Sequence, residues 1–126
     1  MARILLVEDN ELNRDMLSRR LTRQGYEVFC AVDGADGVSK ASSEQPDLIL
    51  MDVALGEMDG WEATTLIKGA PDTADIPVIA LTAHALQSDR LKSIEVGCVD
   101  FDTKPIDFAR LLGKIEGCLA QHGRSR

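Results

Sequence analysis

The chain has little with which to cross-link, to span a bilayer or to grip a polyanion. Its three cysteines, Cys30, Cys98 and Cys118, are odd in number and widely spaced, with no Cys-x-x-Cys pair. That pattern suggests neither a disulfide framework nor a thiolate zinc site, and the cysteines read as small buried hydrophobes. No apolar run approaches the roughly 20 residues needed to cross a bilayer, so no membrane insertion is expected. The apolar start, residues 1–7, is stopped by Glu8 and Asp9, far short of a secretory signal with its cleavage site, and a cytoplasmic protein is expected. Positive charge is also scarce. Lysine and arginine number 14 against 21 acidic residues, a formal charge of −7. Such a surface repels phosphate backbones, so nucleic-acid binding is not expected, and cations or cationic partners suit it better.

What remains is a globular composition. With 126 residues, 44% hydrophobic and 28% charged, the chain fits one domain that hides roughly two thirds of its unfolded surface. Apolar runs of strand length occur at 4–7, 27–31, 48–51, 78–81 and 99–101. Helical periodicity fits the segments between and after them: 11–24, 35–44, 61–68, 85–96 and 108–121. The first of these puts Leu12, Met16, Leu17 and Leu21 on one face, Gly25 stops it, and Arg19, Arg20 and Arg23 complement its C-terminus. A regular βα alternation implies an α/β fold with a parallel sheet and helices on both faces. Near-continuous apolar character in three of the strands agrees with burial on both sides.

Polar residues fall where each run ends. Glu8-Asp9 follows the first, Asp33-Gly34 the second, Asp52 the third, Thr82 the fourth and Lys104-Pro105 the fifth. Open α/β sheets bind ligands beyond the carboxyl ends of their strands. Any one of these residues alone has an ordinary role as a helix cap or turn-former.

Together they carry a resemblance. Through Val7-Glu8-Asp9-Asn10, Met51-Asp52-Val53, Met58-Asp59-Gly60, Leu81-Thr82-Ala83 and Thr103-Lys104-Pro105, the chain resembles the receiver domain of two-component response regulators over nearly its whole length. The resemblance implies a doubly wound (βα)5, flavodoxin-like fold with a five-stranded parallel sheet of order 2-1-3-4-5. It also implies a receiver domain over 1–121 and a short tail at 122–126. In that order strands one, three, four and five lie side by side, while strand two is an edge and Asp33 is remote. Three acids, a hydroxyl and a lysine then share a small pocket, which makes sense if a cation neutralises the carboxylates. Oxygen-only ligation points to Mg2+, with Mn2+ as the substitute, rather than to zinc.

The resemblance also implies a function, a phosphorylation-dependent signalling switch rather than an enzyme, with only self-phosphorylation and self-dephosphorylation expected. Asp52 would be the phosphoacceptor, charged from a phosphohistidine on a histidine kinase or histidine phosphotransfer domain. Glu8, Asp9, Asp52 and the backbone carbonyl of Ala54 would hold the metal, and Lys104 and Thr82 would contact the phosphoryl group. Thr82 and Phe101 would form the switch, and Lys104–Pro105 would be a cis peptide. Asn13 and Arg14 would dock the partner. Glu8–Arg14 with 81–85 is more similar to receivers of hybrid kinases and phosphorelays than to those of DNA-binding regulators. No output domain follows Gln121 in the sequence, so output is expected through an unidentified protein target or onward phosphotransfer.

Two positions depart from the family pattern. Phe101 replaces the commoner Tyr, removing a phenolic hydroxyl, so toggling would rest on packing alone, and a plain core Phe is the other reading. Leu55-Gly56 replaces Met-Pro, which predicts a more mobile or differently turned loop after Asp52 and weaker Mg2+ binding. His84 and Ala54 stand where the family governs the approach of hydrolytic water, although an exposed helix-start role fits His84 equally. Rival classes fit less well. A haloacid-dehalogenase-type phosphatase, which is Mg2+-dependent and forms an aspartyl phosphate, needs a second Asp where Ala54 stands. A flavodoxin-like electron carrier needs a Ser/Thr/Gly-rich phosphate loop in place of Glu8-Asp9-Asn10, and a scaffold without phosphorylation leaves the set Asp9, Asp52, Thr82 and Lys104 unexplained.

Overall fold

The computed structural model describes residues 1–83 and 87–122. The readings for His84 and for a helix start at Ala85 therefore lie outside the described residues, as does the tail beyond His122. Five strands alternate with five helices in chain order: β1 (Arg3–Val7), α1 (Glu11–Arg23), β2 (Glu27–Ala31), α2 (Gly34–Glu44), β3 (Leu48–Asp52), α3 (Gly60–Gly69), β4 (Val78–Thr82), α4 (Gln87–Val96), β5 (Asp100–Thr103) and α5 (Phe108–His122). The sheet is parallel throughout, in the order β2-β1-β3-β4-β5.

Strand alternation divides the core in two. Ile4, Leu6, Leu48, Leu50, Ile79 and Leu81 point to one face and pack against Leu17 and Leu21 of α1 and Leu111 and Ile115 of α5. Leu5, Val7, Ile49, Met51 and Val78 point to the other face and meet Ala41 of α2 with Ala63 and Ile67 of α3. All five residues of β3 and all five of β4 are buried, which explains their unbroken apolar runs, since a strand covered on both faces has no solvent side. Each fully buried Leu or Ile side chain contributes about 2 kcal/mol, so the central strands are the stiffest part of the molecule.

Helix starts follow from side-chain caps. Asn10, Asp33 and Asp59 each accept a hydrogen bond from the backbone N–H three residues on, at 2.9, 2.8 and 2.8 Å. Each cap satisfies one of the orphan donors of a first turn. Gly25, at φ +94°, takes the left-handed conformation that ends α1. No helix among the described residues is long and apolar enough to cross a membrane.

Several expectations shift. Leu12 and Met16 do not join the inner face of α1; they are 80% and 55% exposed, and only Leu17 and Leu21 are buried there. Leu12 lies five positions before Leu17, a rotation that carries it off the buried stripe. Strand β5 runs over Asp100–Thr103 rather than 99–101, because its acids are paired with α5 cations and need not avoid the sheet. Cys118 is buried, but Cys30 and Cys98 are only partly so. Of the α1 arginines, Arg20 and Arg23 occupy the last turn, whereas Arg19 pairs with Asp15 at 3.2 Å. Arg20 also lies over the Phe108 ring, 5.3 Å from its centroid.

Candidate functional site

The polar strand ends converge. Asp52 closes β3, Glu8 and Asp9 follow β1, Thr82 closes β4, and Lys104 follows β5. Carboxylate oxygens of Glu8, Asp9 and Asp52 lie within 4.8 Å of one another. Asp9 is exposed, but Glu8 and Asp52 are only 4% and 2% exposed, so their charges need partners. Lys104 supplies one: its Nζ lies 3.1 Å from Glu8 Oε1 and 3.1 Å from Asp52 Oδ2. The remaining carboxylate lone pairs are oriented by the backbone. Asn10 N–H donates to Glu8 Oε2 and Ala54 N–H to Asp52 Oδ1, both at 3.1 Å.

The electrostatics follow from this geometry. Burial pushes the Glu8 carboxyl above its ordinary range and the neighbouring Asp52 adds to the rise, against the Asn10 N–H and Lys104, which oppose it. For Lys104, burial pulls the ammonium down, but the Asp52 and Glu8 charges outweigh it and hold the group above its ordinary value. Three carboxylates exceed the one lysine by two charges, the charge of a single divalent ion. All donors are hard oxygens, so the set fits Mg2+ rather than a thiophilic metal.

The loop between β3 and α3 is built around two contacts. Gly60 lies so close to β3 that an added Cβ would sit 2.3 Å from the Asp52 carbonyl oxygen and 2.8 Å from Val53 Cα. Leu55 is 8% exposed and turns into the core beside α2 and α3. Gly56 has open space around it and no left-handed φ. Leu55 thus ties this loop to the core, while Gly56 itself stands clear of its surroundings.

Other candidates fall into place around the pocket. Thr82 is buried, opposite Thr103 in the β4–β5 register, and its carbonyl accepts the Lys104 N–H at 2.7 Å. The Lys104–Pro105 peptide is cis. Phe101 stands opposite Ala80, half-buried, with Arg90 and Lys114 at 5.6 and 5.4 Å from its ring centroid. Asn13 lines a groove of about 310 Å³ with Met16, Leu17, Pro105 and Ile106. Arg14, half-buried, donates to the Glu8 carbonyl at 2.9 Å and lines a separate surface groove with Leu12, Asp15 and Arg19. Asp33 is outside the carboxylate cluster, although it shares a second groove with Asp9. Met58-Asp59-Gly60 is among the motifs of the resemblance, but its Asp-Gly pair signals only a capped helix start and not the contact of Gly60 with β3. Sequence reasoning passed over Asp102 and Arg110, which no local pattern links.

Comparison with known proteins agrees with this geometry. The family model described as the response regulator receiver domain matches residues 4–116. The chain is 41% identical over 114 residues to the response regulator PleD of Caulobacter vibrioides, covering 90% of this chain and 25% of PleD. It is 37% identical over 120 residues to the protein PilH of Pseudomonas aeruginosa, covering 95% of this chain and 99% of PilH. The chain therefore spans a quarter of one relative and nearly all of the other. Among solved structures, the receiver domain of the sensor histidine kinase PA1611 of Pseudomonas aeruginosa superposes with a TM-score of 0.87 at 37% identity, covering 94% of this chain and 98% of that one. That crystal structure has a magnesium ion coordinated in its active site cleft. Strand order, acidic pocket and relatives lead to one conclusion: the chain belongs to the response regulator receiver domain family, a phosphorylation-dependent signalling switch of two-component systems.

Proposed function

We propose that Asp52 is the phosphoacceptor of a single receiver domain over 1–121, charged from a phosphohistidine on a histidine kinase or a histidine phosphotransfer domain. The observation that carries this is Asp52 itself, a carboxylate 2% exposed at the end of a central strand, with a lysine at 3.1 Å and two further carboxylates in reach of one ion. A carboxylate oxygen attacks phosphorus, the new P–O bond forms as the P–N bond breaks, and the imidazole leaves with the electron pair and takes up a proton. Asp52 is competent because Ala54 N–H and Lys104 fix its oxygens and because burial keeps bulk water from competing.

Glu8, Asp9, Asp52 and the Ala54 carbonyl are the groups that would hold Mg2+, or Mn2+ in its place. Bound there, the ion would supply charge neutralisation for the incoming phosphoryl oxygens. Lys104 would follow the phosphoryl group as a point charge, giving up its contact with Asp52. Thr82 would donate its hydroxyl to the same oxygens, and Phe101, on the adjacent strand, would respond to that movement through packing, since it has no hydroxyl of its own. Asn13, on the groove beside the pocket, and Arg14, on a neighbouring surface groove, would face the docking partner. Ala54 offers no second carboxylate, so the dehalogenase-type phosphatase finds no support, and activity beyond self-phosphorylation and self-dephosphorylation is not proposed. A cytoplasmic location goes with this reading.

The test is intact-mass measurement after exposure to a small acyl phosphate, with and without Mg2+. The wild-type chain should gain one phosphoryl mass only with the metal, and Asp52→Asn should gain none. A gain that survives Asp52→Asn, or no gain in the wild type, refutes the assignment.

A further inference from the structure

Strand β5 buries a carboxylate that belongs to no part of the acidic pocket. Asp102 is 2% exposed and stands opposite Leu81. Its Oδ1 accepts the Thr103 N–H and Arg110 Nε, both at 2.8 Å, while Oδ2 has no hydrogen-bond partner among the described residues. Lys114 Nζ lies 3.9 Å from Oδ1 and donates to the Phe101 carbonyl at 2.5 Å. Arg110 also reaches back from α5 to the Thr103 hydroxyl at 3.3 Å and to its carbonyl at 3.5 Å. A well-packed apolar residue beside Leu81 would have served stability at least as well, because a buried ion pair seldom recovers its desolvation cost. What the pair supplies is geometry.

That geometry converges on one residue. Thr103 precedes Lys104, and the Asp102–Arg110 pair engages the N–H, the hydroxyl and the carbonyl of Thr103. From the other side, Lys104 N–H is held by the Thr82 carbonyl at 2.7 Å. The Lys104 stem thus leaves a backbone clamped on both sides, and its Nζ reaches Glu8 and Asp52 at 3.1 Å each. We infer that Arg110, acting through Asp102 and Thr103, is a positioning residue that aims Lys104 at the phosphoryl site. The inference rests on the proposal that Lys104 contacts the phosphoryl group.

A double-mutant cycle tests it, with the rate of phosphorylation by a small acyl phosphate at saturating Mg2+ as readout. Arg110→Ala should slow the reaction about tenfold, since misplacing a reacting partner by about 1 Å can cost up to a hundredfold. Its Mg2+ affinity, followed through the single tryptophan, Trp61, should stay within about twofold of wild type, because no metal-holding group is touched. On a Lys104→Ala background, Arg110→Ala should add no further slowing, since the residue through which it acts is gone. Should Arg110→Ala fail to fold, Arg110→Lys, which keeps the charge but loses the planar fork, takes its place in the cycle. Full-rate phosphorylation of the folded variant, or equal slowing in both backgrounds, overturns the inference. A Lys104→Ala chain phosphorylated at the wild-type rate would instead overturn the role of Lys104 itself.

Discussion

Alanine at Gly60 tests how tightly the phosphorylation loop is fitted to the central strand. A Cβ there would stand 2.3 Å from the Asp52 carbonyl oxygen, 2.8 Å from Val53 Cα and 2.9 Å from the Asp52 carbonyl carbon. Ordinary carbon contacts begin near 3.5 Å, so the deficit is about 1 Å. The obstructing atoms are backbone at the end of a fully buried strand, and no side chain can swing aside to make room. Overpacking of this kind costs roughly 1–3 kcal/mol or more, offset by up to about 1 kcal/mol from the better helix propensity of alanine. The net expectation is a loss of about 2 kcal/mol, a fall in Tm of roughly 6–10 °C for a chain of this size. Displacing Asp52 should also slow phosphorylation by an acyl phosphate about tenfold or more. Gly56→Ala is the control, four positions earlier in the loop that leads into α3. Its added methyl meets nothing within 4 Å and needs no left-handed φ, so stability should change by less than about 0.5 kcal/mol. Thermal and urea unfolding followed by circular dichroism read both variants. Equal losses at the two glycines, or a Gly60→Ala variant as stable as wild type, would refute the close-approach argument.

Two further expectations concern Leu55 and two of the cysteines. Leu55→Ala should cost about 3 kcal/mol by cavity formation and weaken Mg2+ binding, measured by unfolding and by metal titration, because Leu55 anchors the loop whose Ala54 carbonyl is the proposed metal ligand. Unchanged metal affinity in that variant would separate the anchor from the site. Burial pushes the thiols of Cys98 and Cys118 up to about 11. At pH 8 their thiolate fractions fall to about a hundredth of that of an ordinary thiol, so alkylation should be slower by a similar factor until denaturant is added. The raised values give stability that is fully present below the unfolded thiol range and is lost as pH rises through about 11.

How far the sequence could be read depended on whether the signal was local. β1, β3 and β4 were legible because burial on both faces leaves an unbroken apolar run, and the residue that ends each run entered the pocket. The set Glu8, Asp9, Asp52, Thr82 and Lys104 was legible only through the resemblance, since adjacency of strand ends depends on sheet order. The fifth strand is legible only in part, at 99–101 instead of Asp100–Thr103, because Asp102 looks like a loop residue until Arg110 comes to meet it from α5. Met16 was assigned to the core because periodicity gives a stripe and not its edges; it lines a groove beside the pocket instead. The anchoring of the loop at Leu55, beside Gly56, is not legible, because the inward turn of Leu55 is a matter of tertiary packing.

The uneven anchoring of the two sides of the pocket has a mechanical consequence. Asp52 stands on a stiff abutment, with β3 enclosed in two cores, Gly60 seated against its backbone and Leu55 pinned beneath. On the far side α4 is anchored more lightly, burying only Ser93 while Leu91 and Ile94 stand 57% and 65% exposed. Force applied between two supports displaces the softer one. Work done at the pocket should therefore appear as displacement of α4, while the carboxylates of Glu8, Asp9 and Asp52 keep their spacing from one cycle of the switch to the next.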